Sequence, residues 1–185
     1  DNFTSYSSNY KLIDGDDIVY EISNEFKIQR GDSIRTSLST STSRLNPNFS
    51  IAYPNKYNIE NTSYVTIGET QYYTDNYGIT TEKSYVIPEQ FLSFTFEDKY
   101  LENVTETSDG FKGNVKQDSL SNFFNESSFT NVKDFAFELK VENDHFTSFT
   151  FSYIDFGDNL SLEAKAVYNF SYDNIVIDYS ANEKK

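Results

Sequence analysis

The sequence predicts a mainly β protein built on one strongly curved antiparallel sheet with a few short helices. Three observations carry that expectation. Apolar and polar residues alternate with period two in long runs, most clearly between Val132 and Tyr179, as they do when side chains point alternately to the two faces of a sheet. Turn-forming Asn, Asp and Gly separate the runs. One run, Leu160 to Tyr172, would extend roughly 40 Å at about 3.3 Å per residue, and long strands twist and curve the sheet they belong to.

Residues 1–17 are rich in Ser, Asn and Tyr without a period and read as a lead-in or tether. From Ile18 the alternation is clear: Ile18, Tyr20, Ile22, Phe26 and Ile28 share one face, and Val19, Glu21, Ser23, Glu25 and Lys27 the other. Gly31 and Asp32 supply a turn, and Ile34 to Thr42 continue as a more polar strand whose Ser and Thr suit an edge or a wet face. Pro47 and Pro54 among asparagines predict a loop, with a short strand at Phe49 to Tyr53. Ser63 to Thr74 reads as strand until Gly68 interrupts it, and a turn from Asp75 to Gly78 leads into Ile79 to Lys83.

Pro88 fits the first turn of a short helix. Lys99 to Glu106 and Phe111 to Lys116 flank a Ser108-Asp109-Gly110 turn, and Asp118 suits the N-cap of a helix over 119–125 with Leu120, Phe123 and Phe124 inside. The closing meander has three long runs. Phe135, Phe137, Leu139 and Val141 share a face in the first, Phe149, Phe151 and Tyr153 in the second, and Leu160, Leu162, Ala164, Ala166, Tyr168, Phe170 and Tyr172 in the third. Ile175, Ile177 and Tyr179 read as a short final strand, and 181–185 as a polar tail. Residues 18–180 thus form a single β-rich domain. Ala164 and Ala166, flanked by leucines and aromatics, leave a gap in the middle of the apolar face, room for a covering helix or for a ligand.

Fifteen Lys and Arg against 29 Asp and Glu give a net charge of −14. That opposes electrostatic binding to nucleic acid or to an anionic membrane, both of which need clustered cations. With no Cys there is neither a disulfide framework nor a thiolate metal site. An aromatic fraction of 17% in strand-like runs argues against disorder. A chain opening on Asp1 without Met is expected to be a mature region that followed a signal peptide, with a lipid-anchored Cys. The expected location is extracellular or on the cell surface, with membrane association only through that anchor.

The titratable residues do not assemble into known chemistry. His145 is the only histidine, which excludes a His-rich metal site and a two-histidine acid/base scheme, and its place beside a turn suits a solvated imidazole. Asp14, Asp16 and Asp17 beside Gly15, and Asp155, Asp158 and Glu163 beside Gly157, are oxygen-rich, but neither group fits a twelve-residue calcium loop, and both read as polar turns. A serine nucleophile lacks its Gly-x-Ser-x-Gly turn. No catalytic residue and no cofactor are expected.

What remains is the aromatic and aliphatic face. Such residues ordinarily pack a core. A strongly curved sheet with little helix to fill its concave side would instead leave an apolar cavity suited to an acyl chain, lined by Ile22, Phe26, Phe137, Leu139, Phe149, Phe151, Tyr168 and Phe170. The order of elements resembles the half-barrel lipoproteins of the LolA, LppX and LprG type: a long first strand from Ile18 to Arg30, successive hairpins, a short helix near Asp118 to Asn125, and a meander closing in Tyr168-Asn169-Phe170-Ser171-Tyr172 and Asn174-Ile175-Val176-Ile177. The resemblance implies a bacterial envelope protein, a half-barrel around a hydrophobic cavity, a lipid or other apolar small molecule as cargo, and an envelope protein as partner. The long amphipathic helices that line those half-barrels are not evident here. The rival expectation is a surface adhesin or structural module with a filled core, meeting its partner through edge strands and Tyr72, Tyr73 and Tyr77.

Overall fold

The computed structural model describes residues 3–30, 35–52, 61–75, 77–78, 80–84, 95–124, 131–156 and 161–177. The first six strands are β1 (Ser5–Asp14), β2 (Asp17–Arg30), β3 (Arg35–Leu45), β4 (Asn61–Ile67), β5 (Thr70–Thr74) and β6 (Thr80–Ser84). The other five are β7 (Leu101–Glu106), β8 (Gly110–Val115), β9 (Val132–Glu142), β10 (His145–Asp155) and β11 (Leu162–Ser171). They form one open antiparallel sheet in the order β6-β5-β4-β3-β2-β1-β11-β10-β9-β8-β7. It consists of two meanders, β1 to β6 and β7 to β11, laid side by side where β1 pairs with β11. The sheet is curved, and among the described residues β6 and β7 are its edge strands.

Bulges bend individual strands. Between Ser152 and Ile154 the register shifts so that Tyr153 faces both Asp134 and Phe135, with Asp134 at φ 57°. Further shifts occur at Leu12/Ile13, Phe146/Ser148 and Glu102/Thr105. Each extra residue adds local right-handed twist. Gly110 lets the β7–β8 hairpin lie on β9, because a Cβ there would collide with the Leu139 carbonyl.

Several expectations need correction. The lead-in expected over 1–17 holds a strand instead: β1 (Ser5–Asp14) pairs on both sides, with Tyr10 opposite Ile22 and Ala166. The serine-rich strand β3 is not an edge, because β2 and β4 flank it. The short strand expected at Phe49 is the helix α1 (Pro47–Ala52), with Pro47 at its start, where a missing N–H costs nothing. The helix near Asp118 is a 3₁₀ turn (Gln117–Ser119) followed by α2 (Leu120–Phe123), and no side chain caps α2. Residues 174–177 do not form a strand; the Ile177 N–H donates to Gln29 Oε1 at 2.9 Å. The helix expected at Pro88 and the turns expected at Gly31 and Gly157 lie outside the described residues.

Candidate functional site

Register places all eight sequence-predicted lining residues on one face. Phe26 and Ile22 of β2 lie opposite Tyr6 and Tyr10, which lie opposite Phe170 and Ala166; Tyr168 lies opposite Phe149, and Phe149 and Phe151 lie opposite Leu139 and Phe137. This face is not one cavity. Over β9 and β10 it is filled: Phe135, Phe137, Leu139, Phe149 and Phe151 are buried under Leu120 and Phe123 of α2, with Phe96 and Phe124 packed beside them. Phe96 meets Phe123, Phe137 and Phe149 edge-on, at ring-centre distances of 5.0, 5.8 and 5.5 Å, the geometry that aromatic quadrupoles favour. At the other end of the strands, Phe49 of α1 packs with Leu12, Val19, Tyr20, Leu162 and Ala164, and the half-buried Ile22 lies against this second cluster.

The gap at Ala164 and Ala166 is occupied from within. Tyr10 on β1 and Tyr153 on β10 stand on either side of β11, opposite Ala166 and Ala164 respectively, and their hydroxyls hydrogen-bond at 3.0 Å. Two small side chains allow two phenol rings to lean across the strand between them. Both alanines are at most 1% exposed. The alanines therefore mark an arch of protein side chains over the middle of the sheet.

Toward β6 the same face changes character. On this face of β3 the four successive residues between Arg35 and Leu45 are serines: Ser37 and Ser39 lie opposite Ile28 and Phe26, Ser41 and Ser43 opposite Asn24 and Ile22. Beyond them come Thr66 and Tyr64 on β4, Gln71 and Tyr73 on β5, and Lys83 and Thr81 on β6. A strand of small residues between strands of large ones makes a trough. In it opens a pocket of about 340 Å³, walled by Tyr6 and Phe26 on the apolar side and by Ser37, Ser39, Tyr64, Thr66, Gln71 and Lys83 on the polar side. Tyr6 and Phe26 are stacked at 5.3 Å, and Tyr64 and Tyr73 at 4.8 Å.

Burying hydroxyl and amide groups costs free energy unless they find partners. Here Thr66 is 1% exposed and Ser37 and Gln71 are 7% exposed. Gln71 Nε2 donates to Thr66 Oγ1 at 3.2 Å. The Ser37 hydroxyl has no hydrogen-bond partner among the described residues, and its oxygen is reached from the pocket instead of being sealed in the fold. Of the eight residues read from the sequence, Phe26 alone lines this pocket. The missed residues carried one signal, the run Ser37, Ser39, Ser41, Ser43, which only a strand paired on both sides turns into a trough floor.

Tyr72 and Tyr73, adjacent in β5, point to opposite faces, while Tyr77 is 87% exposed in the following turn; the three do not make one contact surface. His145 is exposed and stacks on Tyr172 at 4.4 Å. Asp14 and Asp17 close the β1–β2 hairpin around Gly15, and among the described residues no three metal-ligating side chains converge.

Three phenols near the seam of the face resist ionisation. Burial pushes the Tyr168 hydroxyl up to about 12, helped by the neighbouring Tyr6 and Tyr153, and burial raises Tyr6 and Tyr153 as well. Because the folded pKa lies above the unfolded value near 10, this stability is complete below pH 10 and is lost as the pH rises toward 12. The urea midpoint is therefore expected to fall over that window, with Tyr168 accounting for about 2–3 kcal/mol. Tyr168→Phe should make the decline shallower. A midpoint constant from pH 9 to 12 would contradict the burial of these hydroxyls.

Comparison with known protein families and with curated proteins finds nothing that matches this chain.

Proposed function

We propose that this chain is a non-catalytic binding module of a bacterial cell surface that holds an amphiphilic small molecule, a lipid or acyl compound, on the concave face of its sheet. One observation carries the reading: the pocket sits where the aromatic part of the face meets the polar part, with the largely buried Ser37 presented on its polar wall. A solid core has no use for such a group, whereas a ligand with an apolar body and a polar end satisfies both walls. At about 340 Å³ the pocket lies at the low end of small-ligand sites, which run from about 300 to 1,000 Å³, so it encloses a short chain or the head end of a longer one. The filled half of the face supplies the rigid wall against which the ligand rests.

The test is titration with a dansyl-labelled undecanoic acid, followed by fluorescence. Saturable binding of about one probe per chain is expected, and Ser39→Phe, which puts a ring on the trough floor, should weaken it about tenfold or more while leaving the thermal midpoint nearly unchanged. A folded Ser39→Phe protein that binds as the parent does would remove the pocket from consideration. A parent chain that takes up no probe would end the reading.

A further inference from the structure

We infer that the head end of the ligand is a flat ring bearing a hydroxyl group, a phenol-like head, held face to face between Phe26 and Tyr64 above Ser39. The inference rests on the reading of the pocket as an amphiphile site and goes one step further, to the shape of the part that enters it.

Two stacked pairs carry it. One row across the sheet runs Tyr6, Phe26, Ser39, Tyr64, Tyr73, each residue opposite the next on the neighbouring strand. Tyr6 and Phe26 are parallel to within 22° at 5.3 Å, and Tyr64 and Tyr73 to within 28° at 4.8 Å. These separations are close to the strand spacing of about 4.8 Å. Rings lying edge to edge in one plane would stand farther apart, so the members of each pair face one another along the row. The second face of Phe26 is therefore turned toward β3 from one side, and the second face of Tyr64 from the other. Between them the row carries Ser39, and the pocket is lined by Phe26, Ser39 and Tyr64 together.

Spacing decides what fits. Phe26 and Tyr64 are two strand spacings apart, about 9.6 Å, so a ring halfway between them stands about 4.8 Å from each, inside the range of about 4.5–7 Å at which aromatic pairs attract. The row then becomes a continuous ladder of rings at one pitch, with the ligand as its middle rung. A saturated chain or a puckered ring meets the same two faces without the quadrupole attraction that a flat ring brings. The next row supplies the polar contact: Ser37 lies opposite Thr66 and Thr66 opposite Gln71, with Gln71 Nε2 donating to Thr66 Oγ1 at 3.2 Å. All three line the pocket. A ring hydroxyl directed at that row both donates and accepts, which suits hydroxyl and amide groups alike and requires no charge.

Calorimetric titration of the whole chain with 4-pentylphenol and with 4-pentylcyclohexanol, which share tail and hydroxyl but differ in the flatness of the ring, tests this. The phenol is expected to bind about tenfold more tightly. In proton NMR its ring resonances should move upfield on binding, the shielding felt between two aromatic faces. Tyr64→Leu, which keeps apolar bulk and removes one face, should reduce the preference to about threefold, and Tyr64→Phe should retain it. Ser39→Phe supplies the middle ring from the protein itself and should displace the phenol. The ring assignment is overturned by equal affinity for the two alcohols with no upfield shift, by failure of both to bind, by a Tyr64→Leu chain that keeps the tenfold preference, or by a folded Ser39→Phe chain that holds the phenol as the parent does. The amphiphile site then stands if the parent still binds the dansyl-labelled undecanoic acid, and falls if it does not. A melt of each variant shows that it is folded, and should Tyr64→Leu fail to fold, the pair of ligands and the NMR shift on the parent chain decide alone.

Discussion

Phe123→Ala should remove about 3–5 kcal/mol of folding stability, a fall in thermal midpoint of about 6–20 °C for a chain of this size. Phe123 is fully buried and touches Phe96, Phe124 and Phe135 at ring-centre distances of 5.0, 5.0 and 5.9 Å. The expected loss lies at the top of the range for core truncations because α2 has no means of holding itself in place. It is four residues long without a side-chain cap, far below the length at which a helix is stable alone. Its position comes from Leu120 and Phe123 pressing into the sheet, and the Phe123 carbonyl in turn accepts the Thr95 N–H at 2.8 Å, which sets Phe96 in place. Removing one ring therefore loosens three. Urea unfolding of Phe123→Ala, with a hydrophobic dye to report exposed aromatic surface, measures both effects. A cost below about 1 kcal/mol would show that the short helix rests on the sheet without sealing it.

Much of this architecture could be read from local pattern, and the parts that could not are the non-local ones. Alternation assigned Phe137, Leu139, Phe149, Phe151, Tyr168, Phe170, Ile22 and Phe26 to one face, and the registers put them there, because parity within a strand is a local property. Which strands become neighbours is not. The pairing of Ser5 with Ser171 and of Tyr10 with Ala166 joins distant parts of the chain, and β1 gives little local signal because Ser8 interrupts its apolar side, Tyr6, Tyr10 and Leu12. For strand β3 the pattern left two alternatives, an edge or a wet face, and only the edge is overturned. Its serines and threonines are polar on both faces, which in isolation looks like an edge, whereas here it lies inside the sheet with Ser37 buried. Periodicity also says nothing of what stands over a face: the plug of Phe96, Leu120 and Phe123 and the open trough over β3 lie on one face of the same sheet.

Ala166→Phe separates those two kinds of space. Ala166 is 1% exposed and lies opposite Tyr10 on one side and Phe151 on the other, beneath the two phenols that meet at 3.0 Å. A phenyl ring in that place has to displace Tyr10 or Tyr153, so overpacking of about 1–3 kcal/mol adds to the loss of a buried hydrogen bond of about 1 kcal/mol. The expected sum is about 2–4 kcal/mol of stability, read from the urea midpoint. Tyr10→Phe alone, which deletes one hydroxyl and no volume, should cost about 0.5–1.5 kcal/mol. Tyr10→Ala should partly rescue Ala166→Phe by returning the space, so the double variant is expected to be more stable than the sum of the two single effects implies. None of these changes touches a residue lining the pocket between Phe26 and Lys83, so the folded fraction of Ala166→Phe should bind amphiphile with unchanged affinity. The opposite result, full stability with binding lost, would place the ligand over the alanines and empty the serine trough of its role.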